Sequence, residues 1–337
     1  MEKNASRTVL VTGGTGFVGS HLVELLLLRG YDVTCLARDP KRLRWLIGKN
    51  VRVVAGDSSE PASLDSAVKN SSIVYHVAGL TKALRKGDYY AVNQVGTRNL
   101  LEACQRHNPA LRKFVFVSSL AAAGPAREGK PVTDRDPPHP ISDYGRSKLL
   151  AEEEALRFRD DFPVAIVRPS AVYGPRDTDV FELFKWAAKG IILDMRGGER
   201  YLNWCYVGDL AEALLLAGEK TVMSGSVYFA AEDRIYSTTE FHDALLRTGG
   251  VKARVISVPI WTGYAIGAVS EAAGFLSGKA TIMSRQKVRE AVQRYWTCDL
   301  GKSNNELGYR SAVPLEQGLE RTWKWYRGQG WLRSAVK

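Results

Sequence analysis

The sequence is poor in cysteine, with four among 337 residues, at positions 35, 104, 205 and 298 and no two of them close together. That scatter excludes a disulfide framework and a thiolate zinc site, and no metal is expected. It fits a reducing, cytoplasmic setting. The chain passes from "MEKNASR" straight into "TVLVTGG", so the apolar segment and cleavage site of a secretory signal are not expected. Internal repeats and low-complexity linkers are missing too. No apolar run reaches the roughly 20 residues that span a bilayer. The nearest approach is "PIWTGYAIGAVSEAAGFL", residues 259–276, which is glycine-rich and interrupted by Glu271. A core helix or a lid is the plainer reading of this segment, and contact with a membrane interface the less favoured one.

Acidic residues are in the minority: 36 Asp and Glu face 47 Lys and Arg, a net charge of +11. Such a balance suits nucleic acid, an anionic membrane or an anionic small molecule. The cations are spread along the whole chain, and no stacking or groove-reading motif accompanies them. Nucleic acid is therefore not an expected partner.

The length suggests two domains, or one large domain with an appendage. Short apolar runs recur at 8–12, 32–37, 51–56, 72–79, 113–119 and 164–170, separated by amphipathic stretches such as "GFVGSHLVELLLLRG". Strands alternating with helices at this spacing predict an α/β fold of the Rossmann type, a doubly wound parallel sheet covered on both faces. Beyond about residue 175 the rhythm turns mainly helical. The expected division is a dinucleotide domain over 1–175, rejoined by about 206–231, and a smaller substrate lobe from 176–205 and 232–337. "VYFAAED" and "ARVISVP" read as further strands, and Ser237 with Glu240 three residues on reads as a capping box.

Three motifs carry chemistry. "TGGTGFVG" follows the first strand, with Gly13 for the tight turn, Gly16 for close backbone approach to a pyrophosphate and Gly19 for helix–strand packing. A strand–helix turn without a ligand is the alternative. At the end of the second strand, where an acidic residue would hold the ribose of NAD, stand Ala37 and Arg38. A guanidinium there suits a 2′-phosphate, so NADP(H) is the preferred cofactor and NAD(H) a possible one. Lys41 or Arg42 would assist. In "YGRSK", Tyr144 and Lys148 share one helix face. The ammonium is expected to lower the phenol's pKa toward the working range of an acid–base group.

With these motifs in order, together with "GD" at 56–57, "HVAG" at 76–79, "NQVGTRNLLEAC" from 93, "FVFVSS" from 114, "VRPSAVYGP" from 167 and "YVGDLAEAL" from 206, the chain resembles the extended short-chain dehydrogenase/reductases over essentially its whole length. The resemblance implies a catalytic set of Ser119, Tyr144 and Lys148, with Ser118 beside it and Asn93 beneath. It implies cofactor contacts from Gly13, Thr15, Gly16, Phe17 and Val18 at the turn, and from Arg38, Asp57 and Ser58 on the adenosine side. Val77, Ala78, Gly79 and Val117, then Tyr144, Lys148, Pro169, Ala171 and Val172, would complete the cradle. It also implies a homodimer.

Two departures bear on the substrate. Sugar-nucleotide members of the family carry Asn where this chain has Ala171, and Arg where it has Leu202; Arg196 or Arg200 would have to replace the lost diphosphate anchors. "SLAAAG" after the fifth strand lacks the acidic pair of a dehydratase. Thr81, Leu120, Ala121, Tyr173 and Phe184 are the expected substrate contacts, with Phe181, Trp186 and the 261–275 segment nearby. The chain is most similar to the dihydroflavonol-reductase and 3β-hydroxysteroid-dehydrogenase branch. This implies an NAD(P)(H)-dependent oxidoreductase that interconverts a carbonyl and an alcohol on a fairly apolar small molecule. A nucleotide-sugar 4-epimerase is the alternative, and a non-catalytic dinucleotide-binding regulator a remote one.

Overall fold

The computed structural model describes residues 7–278, 280–281 and 284–332. Its strands are β1 (Thr8–Thr12), β2 (Asp32–Ala37), β3 (Arg52–Ala55), β4 (Ile73–His76), β5 (Lys113–Val117), β6 (Val164–Pro169), β7 (Ala171–Tyr173), β8 (Ile191–Met195), β9 (Tyr201–Tyr206), β10 (Ser226–Ala230), β11 (Ile235–Ser237), β12 (Arg254–Val258) and β13 (Tyr295–Trp296). The longer helices are α1 (Phe17–Leu28), α2 (Gly96–His107), α3 (Asp143–Arg157), α4 (Phe181–Ala188), α5 (Val207–Glu219), α6 (Thr238–Gly249), α7 (Ile260–Ser277), α8 (Arg285–Ala291) and α9 (Leu315–Gly328). The six apolar runs of the first half are strands, each within a few residues of its expected ends.

Seven strands form one parallel sheet in the order β3-β2-β1-β4-β5-β6-β10. The direction of winding reverses between β1 and β4, which pair directly. In such sheets the crevice at the carboxyl ends of those two strands is the natural ligand site. Side-chain alternation explains why both faces are covered: Val9 and Val11 of β1 point into one apolar cluster, with Leu22 and Leu26 of α1, while Leu10 between them joins Val74, Phe114 and Leu100 in another.

A third cluster lies away from the large sheet, where Tyr173, Phe184, Trp204, Phe241, Trp323 and Tyr326 pack together. Strands β11, β9, β13 and β7 form a small sheet beside it, and β12 pairs with β8 in a separate ribbon. Ser237 caps α6 through the amide of Glu240, whose carboxylate returns a contact to the Ser237 amide. Segment 259–276 is helical as α7, but it is not a core helix: within it only Gly263, Gly267 and Gly274 are buried. Nor does it wall a pocket with Trp261 and Phe275, which point to solvent. No helix among the described residues is long and apolar enough to cross a membrane.

Candidate active site

The crevice between β1 and β4 is shaped by glycine. Gly13 has φ +70°, and a Cβ there would lie 2.7 Å from the Ala78 amide nitrogen just beyond β4. A Cβ on Gly19 would lie 2.2 Å from the Gly13 carbonyl oxygen, so α1 is seated against its own entry turn. Gly16 caps α1 without any side-chain hydrogen bond, and the first turn carries no acidic residue. Its leading amides, from Phe17 and Val18, therefore lack intrahelical acceptors and present an uncompensated positive helix end. Thr12 steadies the opposite wall: its hydroxyl accepts from the Ala78 amide at 3.1 Å and meets His76 Nδ1 at 2.7 Å. A cavity of about 450 Å³ flanks the turn, lined by Phe17, Arg44, Trp45 and Arg176 among others.

Arg38 lies exposed just past the end of β2, after the buried Ala37. Arg42, by contrast, is paired with Asp39 at 3.3 Å. Asp57 accepts from the Ser59 amide and hydroxyl, each at 2.9 Å, and buried Ser58 wedges against Gly96 at the start of α2. A bare helix N-terminus, close glycine turns and an exposed guanidinium past β2 form a donor set that fits a dinucleotide phosphate chain.

Tyr144 and Lys148 are set by α3, whose N-cap Ser142 accepts from the Gly145 amide. Lys148 Nζ donates to the Val117 carbonyl at 2.5 Å and stands 4.3 Å from the centre of the Phe116 ring. Burial pulls its pKa down to about 7, against the pull of Glu152. A Cβ on Gly79 would stand 3.5 Å from that ammonium, which places Lys148 against the β4 loop of the cradle. Ser119 is extended and accepts from the Ala121 amide at 3.1 Å, and its side chain acts on Tyr144 to lower the phenol pKa. Ser118 turns the other way and donates to the buried Glu152, which is clamped by Arg168 through two contacts of 2.8 and 2.6 Å. Asn93, fully buried, ties the Leu80 backbone to Ser147 of α3. The structure thus brings Ser119, Tyr144 and Lys148 to the carboxyl end of β5, with the glycine turn two strands away.

A cation that the local spacing does not announce acts on Tyr144: Lys287 of α8, whose Nζ lies 5.3 Å from the ring centre. Burial pushes the Tyr144 phenol above its ordinary pKa, and the Lys287 charge and the Ser119 hydrogen bond only partly offset that. Burial also opposes the charge on Lys287, but Glu290, 2.9 Å away, more than restores it and holds the ammonium above its usual pKa. Helix α8 is locked in place by Gln286, which exchanges hydrogen bonds with the amide and carboxylate of Asp143, and by Glu290, which accepts from Ser142. No local pattern announces Lys287, which lies 143 residues from Tyr144 in a short polar helix.

The expected substrate residues divide. Thr81 is exposed, its carbonyl 3.5 Å from the Tyr89 hydroxyl, and Ala121 is half-buried beside Ser119. Tyr173, Phe184 and Leu120 are core residues instead. Phe184 packs edge-on against Trp323 and Tyr326, Tyr173 donates to the Leu315 carbonyl, and Leu120 joins the cluster under the large sheet. Their apolar surface gains more from burial against each other than from lining an open cleft. Phe181 packs at a tilt against Tyr326 and edge-on against Trp331, beside the same core. Pro169 ends β6, and Ala171 and Val172 pair with Trp204 and Cys205 of β9. Arg200 cannot anchor a diphosphate: it is buried and committed to the Met195 and Arg196 carbonyls and to Asp194.

Comparison with known proteins agrees with this geometry. Residues 9–230 match the NAD dependent epimerase/dehydratase family. The ceramide reductase of Caulobacter vibrioides is 34% identical over 334 residues, 98% of each chain. The 4-hydroxy-2-methyl-3-oxo-4-farnesyl-3,4-dihydroquinoline-1-oxide ketoreductase of Stigmatella aurantiaca is 27% identical, covering 92% of this chain and 94% of its own. Among solved structures, MoeE5 in complex with UDP-glucuronic acid and NAD superposes with a TM-score of 0.76 at 25% identity, over 96% of this chain and 99% of that one. Glycine turn, Ser–Tyr–Lys cluster and matched length converge: the chain belongs to the NAD dependent epimerase/dehydratase family and is an NAD(P)-dependent oxidoreductase of the extended short-chain dehydrogenase/reductase type.

Proposed function

We propose that this protein is an NADPH-dependent ketone reductase acting on a lipid-like substrate, with Tyr144 as the proton donor. The observation that carries the reading is the Ser119–Tyr144 pair at the carboxyl end of β5, with Lys287 Nζ 5.3 Å from the phenol ring and burial keeping the phenol protonated. A neutral phenol is ready to give a proton, which favours the reductive direction. Bound nicotinamide would supply the hydride for the carbonyl carbon. Tyr144 delivers its proton to the carbonyl oxygen, and Ser119 holds that oxygen in place by a second hydrogen bond. The Lys287 charge stabilises the phenolate left behind. Lys148 and Gly79 would hold the nicotinamide ribose, and Arg38 the 2′-phosphate.

The lipid-like substrate is supported by what replaces the diphosphate anchors. Ala171 and Leu202 are apolar, and Arg200 is already engaged. Burying an unpaired diphosphate against such groups is strongly unfavourable. A ceramide reductase and a farnesyl-quinoline ketoreductase among the full-length relatives point the same way. In this reading residues 1–175 and 206–231 hold the cofactor, residues 176–205 and 232–337 the substrate, and the enzyme is a cytoplasmic homodimer.

The test compares NADPH oxidation with a long-chain ketone such as a 3-ketosphingoid amide against calorimetric titration of UDP-glucose. Turnover of the ketone with no heat from the sugar nucleotide is expected. Micromolar UDP-glucose binding, or epimerisation of the sugar, would replace the reading by an epimerase.

A further inference from the structure

Helix α7 is built inside out. A helix on a water-soluble protein buries its large apolar side chains and shows its polar face to water. Here Trp261, Ile266, Val269, Phe275 and Leu276 are between 53% and 87% exposed. The face turned inward is the small one. A Cβ on Gly263 would meet Met195 Sδ and Val288 at 3.2 Å, and one on Gly267 would lie 2.9 Å from the Arg285 backbone nitrogen. Glu271, the one charged side chain of the helix, is folded back onto Arg285 at 2.7 Å. The exposed face carries no charge and is dominated by apolar side chains along some 27 Å of helix, 18 residues at about 1.5 Å each. The strand leading into it continues the pattern, with Val255 and Ile256 also exposed.

The segments flanking this helix carry exposed cations, and the two glutamates of residues 251–294 are both paired within the fold, Glu271 with Arg285 and Glu290 with Lys287. Lys252, Arg254 and Arg289 are exposed. An apolar helix face with a tryptophan at one end and cations around it has the composition of an interfacial helix. A second copy of this chain, itself at +11, would meet like charge across such a face.

The place of the helix in the fold is equally specific. α7 packs on α8, and α8 is the helix that sets Lys287 over Tyr144 and is locked to the first turn of α3. One helix layer separates the exposed apolar face from the proton donor.

We propose that α7, with the end of β12, is a docking surface for an anionic lipid bilayer, on which the enzyme rests with Tyr144 close to the membrane plane. No spanning segment is implied: the helix lies in the headgroup region, and the exposed Lys252, Arg254 and Arg289 of the flanking segments meet anionic lipid. Docking rests on the surface alone. Its use, delivery of a membrane-embedded ketone to Tyr144, rests on the reductase reading above.

The experiment uses the full chain with vesicles of phosphatidylcholine, alone or with about 30% phosphatidylglycerol, and measures co-flotation and quenching of tryptophan emission by brominated lipid. Binding is expected to the anionic vesicles, to weaken in high salt and to lose part of its quenching in Trp261→Phe. The double variant Ile266→Glu/Val269→Glu changes only exposed side chains, so its melting temperature should hold while partitioning falls at least about tenfold. Unchanged partitioning of that variant overturns the proposal. So does a wild type that ignores vesicles, or one that is a dimer dispersed by the two glutamates, which would make the face a self-contact. A short water-soluble ketone and a vesicle-embedded one separate the two readings. Loss of the second activity alone in the double variant supports docking and delivery together. Vesicle binding by a wild type that reduces neither ketone would overturn the reductase and leave the docking surface standing.

Discussion

Lys287 Nζ stands 5.3 Å from the centre of the Tyr144 ring, brought there by a helix that begins 141 residues further along the chain. The charge favours phenolate and so counters part of the upward push of burial. Lys287→Met should raise the phenol pKa further. The alkaline limb of alcohol oxidation, which needs the phenolate, should then move to higher pH, at about tenfold in neutral-pH rate per pKa unit. Lys287→Arg should restore the profile. A variant with lower activity but an unmoved limb would mean that Lys287 only supports α8.

Tyr144→Phe removes the proton donor and little else. Turnover should fall by roughly 10²- to 10⁴-fold with cofactor affinity kept, measured by stopped-flow and by fluorescence titration of NADPH. Lys148→Met should weaken both. Full activity in the phenylalanine variant would assign the acid elsewhere.

Arg38 is the cofactor discriminator in this reading, because Ala37 supplies no carboxylate to the ribose. NADPH should bind more tightly than NADH, and Arg38→Ala should erase most of the difference. One charge-assisted contact of about 1.5–3 kcal/mol corresponds to roughly 10- to 150-fold. Equal dissociation constants in the native enzyme would exclude it.

His76 gives a stability signature. It is buried between the Thr12 and Thr97 hydroxyls, and burial first, with the nearby Lys148 charge, lowers its pKa to about 3. The unfolded chain binds a proton below about pH 6.5, while the native state does not. Stability should therefore fall as pH drops from about 6.5 toward 3, by up to about 1.4 kcal/mol per unit from this group. Urea melts at pH 7, 6 and 5 should show a shallower loss in His76→Gln than in the wild type; parallel losses would refute the assignment.

Much of this was written along the chain. Each strand of the large sheet is a short apolar run whose alternate residues feed opposite faces, and that periodicity is local. So is the glycine turn, because the positive φ of Gly13 and the close seat of Gly19 are demands made within eight residues. Tyr144 and Lys148 share a face by helical spacing alone. Tertiary structure decided the rest. Apolar character at Phe184 and Tyr173 fits a core or a pocket wall equally, and only the packing of Trp323, Tyr326 and Leu315 around them selected the core. The same ambiguity ran the other way for residues 259–276: composition makes them apolar, but which face is covered depends on where α8 lies against Gly263 and Gly267. Lys287 was invisible for a related reason. A side chain's effect on a pKa depends on distance through space, and the 5.3 Å between Lys287 and Tyr144 exists only once the chain has folded back on itself.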